Sequence, residues 1–101
     1  MFYRCRIYKV IPEKVEIFNE FFRTYLLPTQ LKHGARLVGR WQTIDGSHEI
    51  IAVWEYDSEA HYQQVERAVR DDPNSKAARQ KRKEIEPLFV ERTEKFMVAT
   101  V

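Results

Sequence analysis

The sequence predicts an α+β domain in which two helices cover one face of a four-stranded antiparallel sheet, and three observations predict it. Residues 2–10, FYRCRIYKV, alternate as a strand does and lead directly into a long helical apolar stripe. Two runs rich in β-branched and aromatic residues, 35–44 and 48–57, flank Asp45-Gly46-Ser47, and Asp-Gly supplies the positive φ angles of a tight hairpin. A second helical stretch then gives way to LFVERTEKFMVATV at the end of the chain. Strand, helix, strand, strand, helix, strand is the ferredoxin-like βαββαβ order.

Each element has its own local reason. In the first strand Tyr3, Cys5 and Ile7 share one face and Arg4, Arg6, Tyr8 and Val10 the other. Pro12 suits a helix's first turn, and Val15, Phe18, Phe22 and Tyr25/Leu26 recur at three- and four-residue spacing, widened by Ile17 and Phe21. Pro28 lacks an amide donor and crowds the carbonyl four residues back, so the helix is expected over 13–27, with a short continuation to His33 that stops at Gly34. Asp57-Ser58 caps the next helix, with Glu59 near its positive end and Tyr62, Val65, Ala68 and Val69 as its apolar stripe to about Arg70. Asp72 caps a further stretch, with Pro73 at its first position, reaching about Glu84 before Pro87 introduces the last strand.

A chain of 101 residues is one domain's worth. With 44% hydrophobic, 13% aromatic and 32% charged residues it can build a core and clothe it, which disfavours disorder. Seventeen basic against fifteen acidic residues give +2, too balanced for a dedicated nucleic-acid binder. No run approaches the roughly 20 apolar residues of a membrane span, no signal or transit peptide is expected before the first strand, and the lone Cys5 suits a reducing compartment. A cytoplasmic location is expected.

Two helices leave one sheet face uncovered. Arg4, Arg6, Tyr8, Trp54 and Tyr56 are expected there, with Cys5, Ile7, Ile51 and Val53 meeting the helices that carry Phe18 and Phe22. An aromatic face of that size marks an interface, so two sheets are expected to meet in a homodimer that encloses a cavity. Arg6, Tyr8, Trp54 and Tyr56 are the expected ligand-binding residues around it. An enclosed guanidinium is costly unless it meets a carboxylate, a phosphate or an aromatic face, so the expected ligand is a small anionic or aromatic molecule. The alternative is that Arg6 pairs with a glutamate such as Glu91 and the aromatics are core. Trp41 is assigned to neither the cavity nor a helix contact.

Four segments carry a resemblance. RIYKV at 6–10, LPTQLKHGARLVGRW at 27–41, VWEYDSEAH at 53–61 and DDPNSKA at 71–77 are similar, in order and spacing, to the NIPSNAP family of dimeric α/β-barrel proteins. The resemblance implies a ferredoxin-like subunit paired into a barrel, within a superfamily that includes cofactor-independent monooxygenases and haem-degrading enzymes. Arg4 stands where the family commonly has an acidic residue, so an acid–arginine pair does not carry over. Asn74, Ser75 and Lys76 stand where the family often has tryptophan and apolar residues.

Other chemistry finds little support. His33, His48 and His61 lack a paired spacing or a cysteine companion, so no metal or haem cofactor is expected. No glycine-rich phosphate loop or G-x-S-x-G elbow is present. Lys76, Arg79, Lys81, Arg82 and Lys83 leave the remainder of the chain at −3, and read as a solvated helix end rather than as a partner-binding surface. The expected function is small-ligand binding or protein interaction as a homodimer; the alternative is a cofactor-independent monooxygenase acting on an activated aromatic substrate, in which Arg6 stabilises the anion.

Overall fold

The computed structural model describes residues 1–101 and has the expected ferredoxin-like order. Strand β1 (Phe2–Val10) leads through a 3₁₀ turn (Pro12–Lys14) into helix α1 (Val15–Phe21) and, across a π turn (Phe22–Leu26), into α2 (Leu27–Lys32). The hairpin is β2 (Arg36–Gln42) and β3 (Glu49–Tyr56); α3 (Glu59–Asp71), α4 (Pro73–Ile85) and β4 (Phe89–Val98) follow. All strand pairs are antiparallel, in the order β2-β3-β1-β4. The result is a slab, 36 × 35 × 17 Å, with helices on one side of the sheet.

The helical pass after β1 does not break at Pro28 but runs on to Lys32. The π turn explains this: the amide of Leu27 reaches back five residues to the Phe22 carbonyl, which widens the coil just before the proline ring must fit. The Thr29 hydroxyl donates to the Tyr25 carbonyl four residues back. Gly34, at φ +104°, then ends the run as expected. The hairpin turn is wider than two residues. The Asp45 carboxylate accepts from the Ser47 amide, and Gly46 and His48 take positive φ values of 86° and 56°.

The face assignment from the sequence is inverted. In β3, Ile50, Ala52, Trp54 and Tyr56 are buried beneath the helices, and their register places Arg4, Arg6 and Tyr8 of β1 on the same side. Cys5, Ile7, Ile51 and Val53 are on the uncovered side. Strand parity was legible but the choice of side was not, because Arg4 finds carboxylates under the helices and needs no exposed face. Trp41 also lies on the uncovered side and is half exposed. Its indole lies where a Cβ on Gly39 would stand, which is why this position has no side chain.

The covered core is split in two. One cluster gathers Val10, Val15, Phe18, Phe21, Ile50, Ala78 and Leu88; the other gathers Phe22, Ala35, Trp54, Tyr56 and Val65. Asp72 fastens the helical layer. Its buried carboxylate accepts from the Asn74 amide as the cap of α4 and meets His33 Nε2 at 2.7 Å and Lys32 Nζ at 3.0 Å at the end of α2.

The His33 contact above all, with the Asn74 amide and Lys32, holds the Asp72 carboxyl well below the usual carboxylate range. A depressed folded-state value means that the stabilisation is complete above about pH 4, where an unfolded aspartate ionises, and is lost as pH falls towards the folded value. Asp72→Asn should therefore melt below the wild type at pH 6, and the gap should close towards pH 2 in a thermal denaturation series.

Candidate functional site

Between the two core clusters a row of side chains crosses the covered face of the sheet. Register places Glu94 of β4, Arg6 of β1, Ala52 of β3 and Arg40 of β2 side by side. Arg40 joins the row because Val38 is an extra residue in β2, so that Leu37 faces Trp54 and Arg40 faces Ala52 although Leu37 and Arg40 lie three positions apart in sequence. Ala52 is the smallest residue on the covered face of β3, and it leaves room between the two arginines.

The three arginines of this face, Arg4 buried and Arg6 and Arg40 partly so, differ in how their charge is met. Arg4 is 8% exposed, and its guanidinium donates to Glu94 Oε2 at 2.6 Å and Glu66 Oε1 at 2.7 Å, beside the Tyr62 ring. Burial works against its charge, but Glu66 and the hydrogen bond to Glu94 outweigh that and keep its pKa above the ordinary arginine value. Arg6 is otherwise placed: its Nε is 3.6 Å from the same Glu94 oxygen, is buried, and has no hydrogen-bond acceptor. Burial lowers its pKa, and the charges of Arg4 and Arg92 lower it further.

Arg40 is the most strained electrostatically. Nη1 donates to Asn19 Oδ1 at 2.6 Å, while the buried Nη2 has no partner. Its guanidinium carbon lies 4.3 Å from the centre of the Phe22 ring and 5.1 Å from that of Phe18. Burial brings its pKa down to about 10. Aromatic faces thus replace carboxylates around this charge.

Two compartments open between helix and sheet. The inner one, about 90 Å³, contains Arg6 and Arg40 with Ala52, Trp54 and Phe22. The outer one, about 240 Å³, opens between α4 and β4. Arg6, Tyr8, Phe18 and Leu26 line both, and the Tyr8 and Phe18 rings meet edge to face at 5.0 Å. No carboxylate and no histidine lines either compartment. The arrangement can hold a small anion through charge and hydrogen bonds, with aromatic walls for an apolar portion.

A family model described as NIPSNAP matches residues 3–101. The chain belongs to the NIPSNAP family. Solved structures agree on the fold of this NIPSNAP domain. A NIPSNAP domain protein from Burkholderia xenovorans superposes with a TM-score of 0.85 at 24% identity, covering 99% of this chain and 95% of that one. A NIPSNAP family protein from Agrobacterium tumefaciens gives 0.83 at 18% identity, covering 98% and 92%. A putative antibiotic biosynthesis monooxygenase from Nitrosomonas europaea gives 0.71 at 14% identity over 100% of both chains. No curated protein matches in sequence. No helix of the NIPSNAP domain is long and apolar enough to cross a membrane.

The structure brings Arg6, Tyr8 and Trp54 together, but beneath this chain's own helices and not in a space between two sheets. Tyr56 is apart from them: it is 1% exposed, packed against Phe2, His61 and Tyr62, with burial pushing its hydroxyl up to about 12. Glu91 pairs in register with Lys9, one position off the covered face, so the acid nearest Arg6 is Glu94. Arg40, Ala52 and Phe22 were missed. The bulge at Val38 hides Arg40 from a parity count, whereas Ala52 among Ile50, Ile51, Val53 and Trp54 was a visible gap. Arg79 and Arg82, read as part of a solvated helix end, line the outer compartment.

Replacing Arg4 removes two charge-assisted hydrogen bonds to carboxylates whose side chains are 34% exposed. Arg4→Met should cost about 1.5–3 kcal/mol in urea denaturation. Glu66→Gln, which leaves the shorter bond to Glu94 in place, should cost less.

Proposed function

We propose that this NIPSNAP domain binds a small anionic molecule with an apolar or aromatic portion in the compartments between α1, the π turn and the sheet. One observation carries the reading: Arg6 Nε and Arg40 Nη2 are buried donors without acceptors, on either side of Ala52. Unmet buried donors of a charged group are expensive, and an oxyanion between them supplies the missing acceptors. Tyr8, Trp54, Phe18 and Phe22 supply the walls. Binding is favoured over catalysis because neither compartment presents a carboxylate or imidazole to move a proton.

The domain works as a homodimer in this proposal, through the uncovered sheet face. Trp41 is 53% and Met97 39% exposed there, beside Ile7, Ile51 and Val53. A slab face measuring 36 × 35 Å is broad enough for the roughly 800 Å² per partner of a standard interface. A second copy offers the same apolar strip, so the contact is self-complementary. The ligand compartments lie on the other side of the sheet, so dimerisation and ligand binding separate experimentally.

Arg40→Met should abolish binding of benzoate, measured by calorimetry, while the melting temperature stays equal or rises, because the lost guanidinium was incompletely paired. Unchanged benzoate affinity would remove Arg40 from the site. Ile51→Lys should reduce the sedimentation mass from twice 12.1 kDa to 12.1 kDa and leave benzoate binding intact; a wild-type mass of one chain at all concentrations ends the dimer proposal.

A further inference from the structure

The outer compartment has a charge pattern that a monoanion does not explain. Arg6, Arg79, Arg82 and Arg92 all line it, and no acidic residue does. They come from three elements: Arg6 from β1, Arg79 and Arg82 one turn apart on α4, and Arg92 from β4, where its register partner is Tyr8. Arg79 and Arg92 make no ion pair, and Arg82 reaches Glu86 only at 4.0 Å. The Arg82 guanidinium lies 5.0 Å from the centre of the Phe89 ring, which also lines the compartment. Gathering four like charges around about 240 Å³ costs free energy through mutual repulsion, and the chain offsets it only at a distance, through Glu94 at 3.6 Å from Arg6 and Glu86 at 4.0 Å from Arg82.

Apart from Ser75, the remainder of the lining is apolar or aromatic. Tyr8, Phe21, Leu88 and Phe89 form a floor continuous with the first core cluster. A small inorganic ion would leave that floor wet, and an uncharged ring would leave the arginines unmet. The chemistry that meets both demands is a compact group of two negative charges attached to an apolar body.

We infer that the outer compartment recognises a phosphate monoester with an apolar or aromatic substituent, the arginines clamping the phosphate and the aromatic floor taking the substituent. Guanidinium groups match phosphate oxygens with paired, charge-assisted hydrogen bonds, and several arginines accommodate a dianion better than one does. This rests on the anion-binding reading above and narrows its ligand class. Arg6, common to both compartments, lets the ester's substituent or its charged group approach the inner donors.

The test uses the full chain and matched probes by calorimetry. Phenyl phosphate should bind about tenfold or more tightly than benzoate, which shares its ring but has a single charge, and about tenfold more tightly than inorganic phosphate, which lacks the ring. In Arg79→Gln/Arg92→Gln the advantage over benzoate should vanish while benzoate affinity and the melting temperature hold. Equal affinities for phenyl phosphate and benzoate in the wild type, or an advantage that survives the double substitution, overturns the inference and leaves the inner site standing. Failure of benzoate to bind, or binding indifferent to Arg40→Met, strikes the earlier reading instead. Flotation with phosphatidate vesicles separates sources: capture lost in the double variant assigns the monoester to a lipid headgroup, and no capture beside tight phenyl phosphate binding assigns it to a soluble ester.

Discussion

Everything on the covered side of this sheet is arranged around positive charge that the chain does not neutralise. A four-stranded sheet beneath helices ordinarily seals with aliphatic side chains from edge to edge. Here the central row is Glu94, Arg6, Ala52, Arg40, and the apolar side chains fall into two clusters on either side of it. Only one carboxylate enters the row, and Arg4 takes it at 2.6 Å. Partly burying two guanidinium groups with so little compensation lowers stability, and in the proposed function a bound anion supplies what the chain does not.

The helical layer is fitted to that constraint. Phe18 and Phe22 belong to different core clusters yet both place their rings against Arg40. Asn19, between them, supplies the one side-chain oxygen that reaches this guanidinium. The π turn begins at Phe22 and includes Leu26, so the irregular part of the helix is the part over the cavities. Regular helix on either side, tied to α4 through Asp72, holds the turn in place.

Element order, the hairpin, the caps Ser58 and Asp72 and the stop at Gly34 were legible because each follows from local chemistry that neighbours in sequence decide. The resemblance in four segments reached the right family. Which side of the sheet the helices cover was not legible, since alternation sorts residues into two sets without saying which is inside. Size and charge pointed the wrong way: Arg4 and Arg6 suggested an open surface, but Glu66 on α3 and Glu94 on β4, 62 and 90 residues from Arg4, make burial of Arg4 tolerable. Tyr56 was drawn into the site by its parity with Trp54, yet it sits at the far end of β3 against Phe2 and Tyr62. Continuation through Pro28 depended on a wider coil that no residue preference announces.

That wider coil has a consequence for how the chain tolerates change in length. A π turn holds one residue more than the α-helix it interrupts, and each residue of a helix advances the spiral by about 100°. Excising a single position from 22–26 would remove that extra residue and close the spiral to a regular α-helix, leaving Thr29 and Gln30 at about their present azimuth but re-aiming the residues of the turn itself, Leu26 among them, over the arginines. The shape of the recess is thus written in a count of residues as much as in their kind, and a relative with the same side chains but one fewer here would present a differently contoured roof.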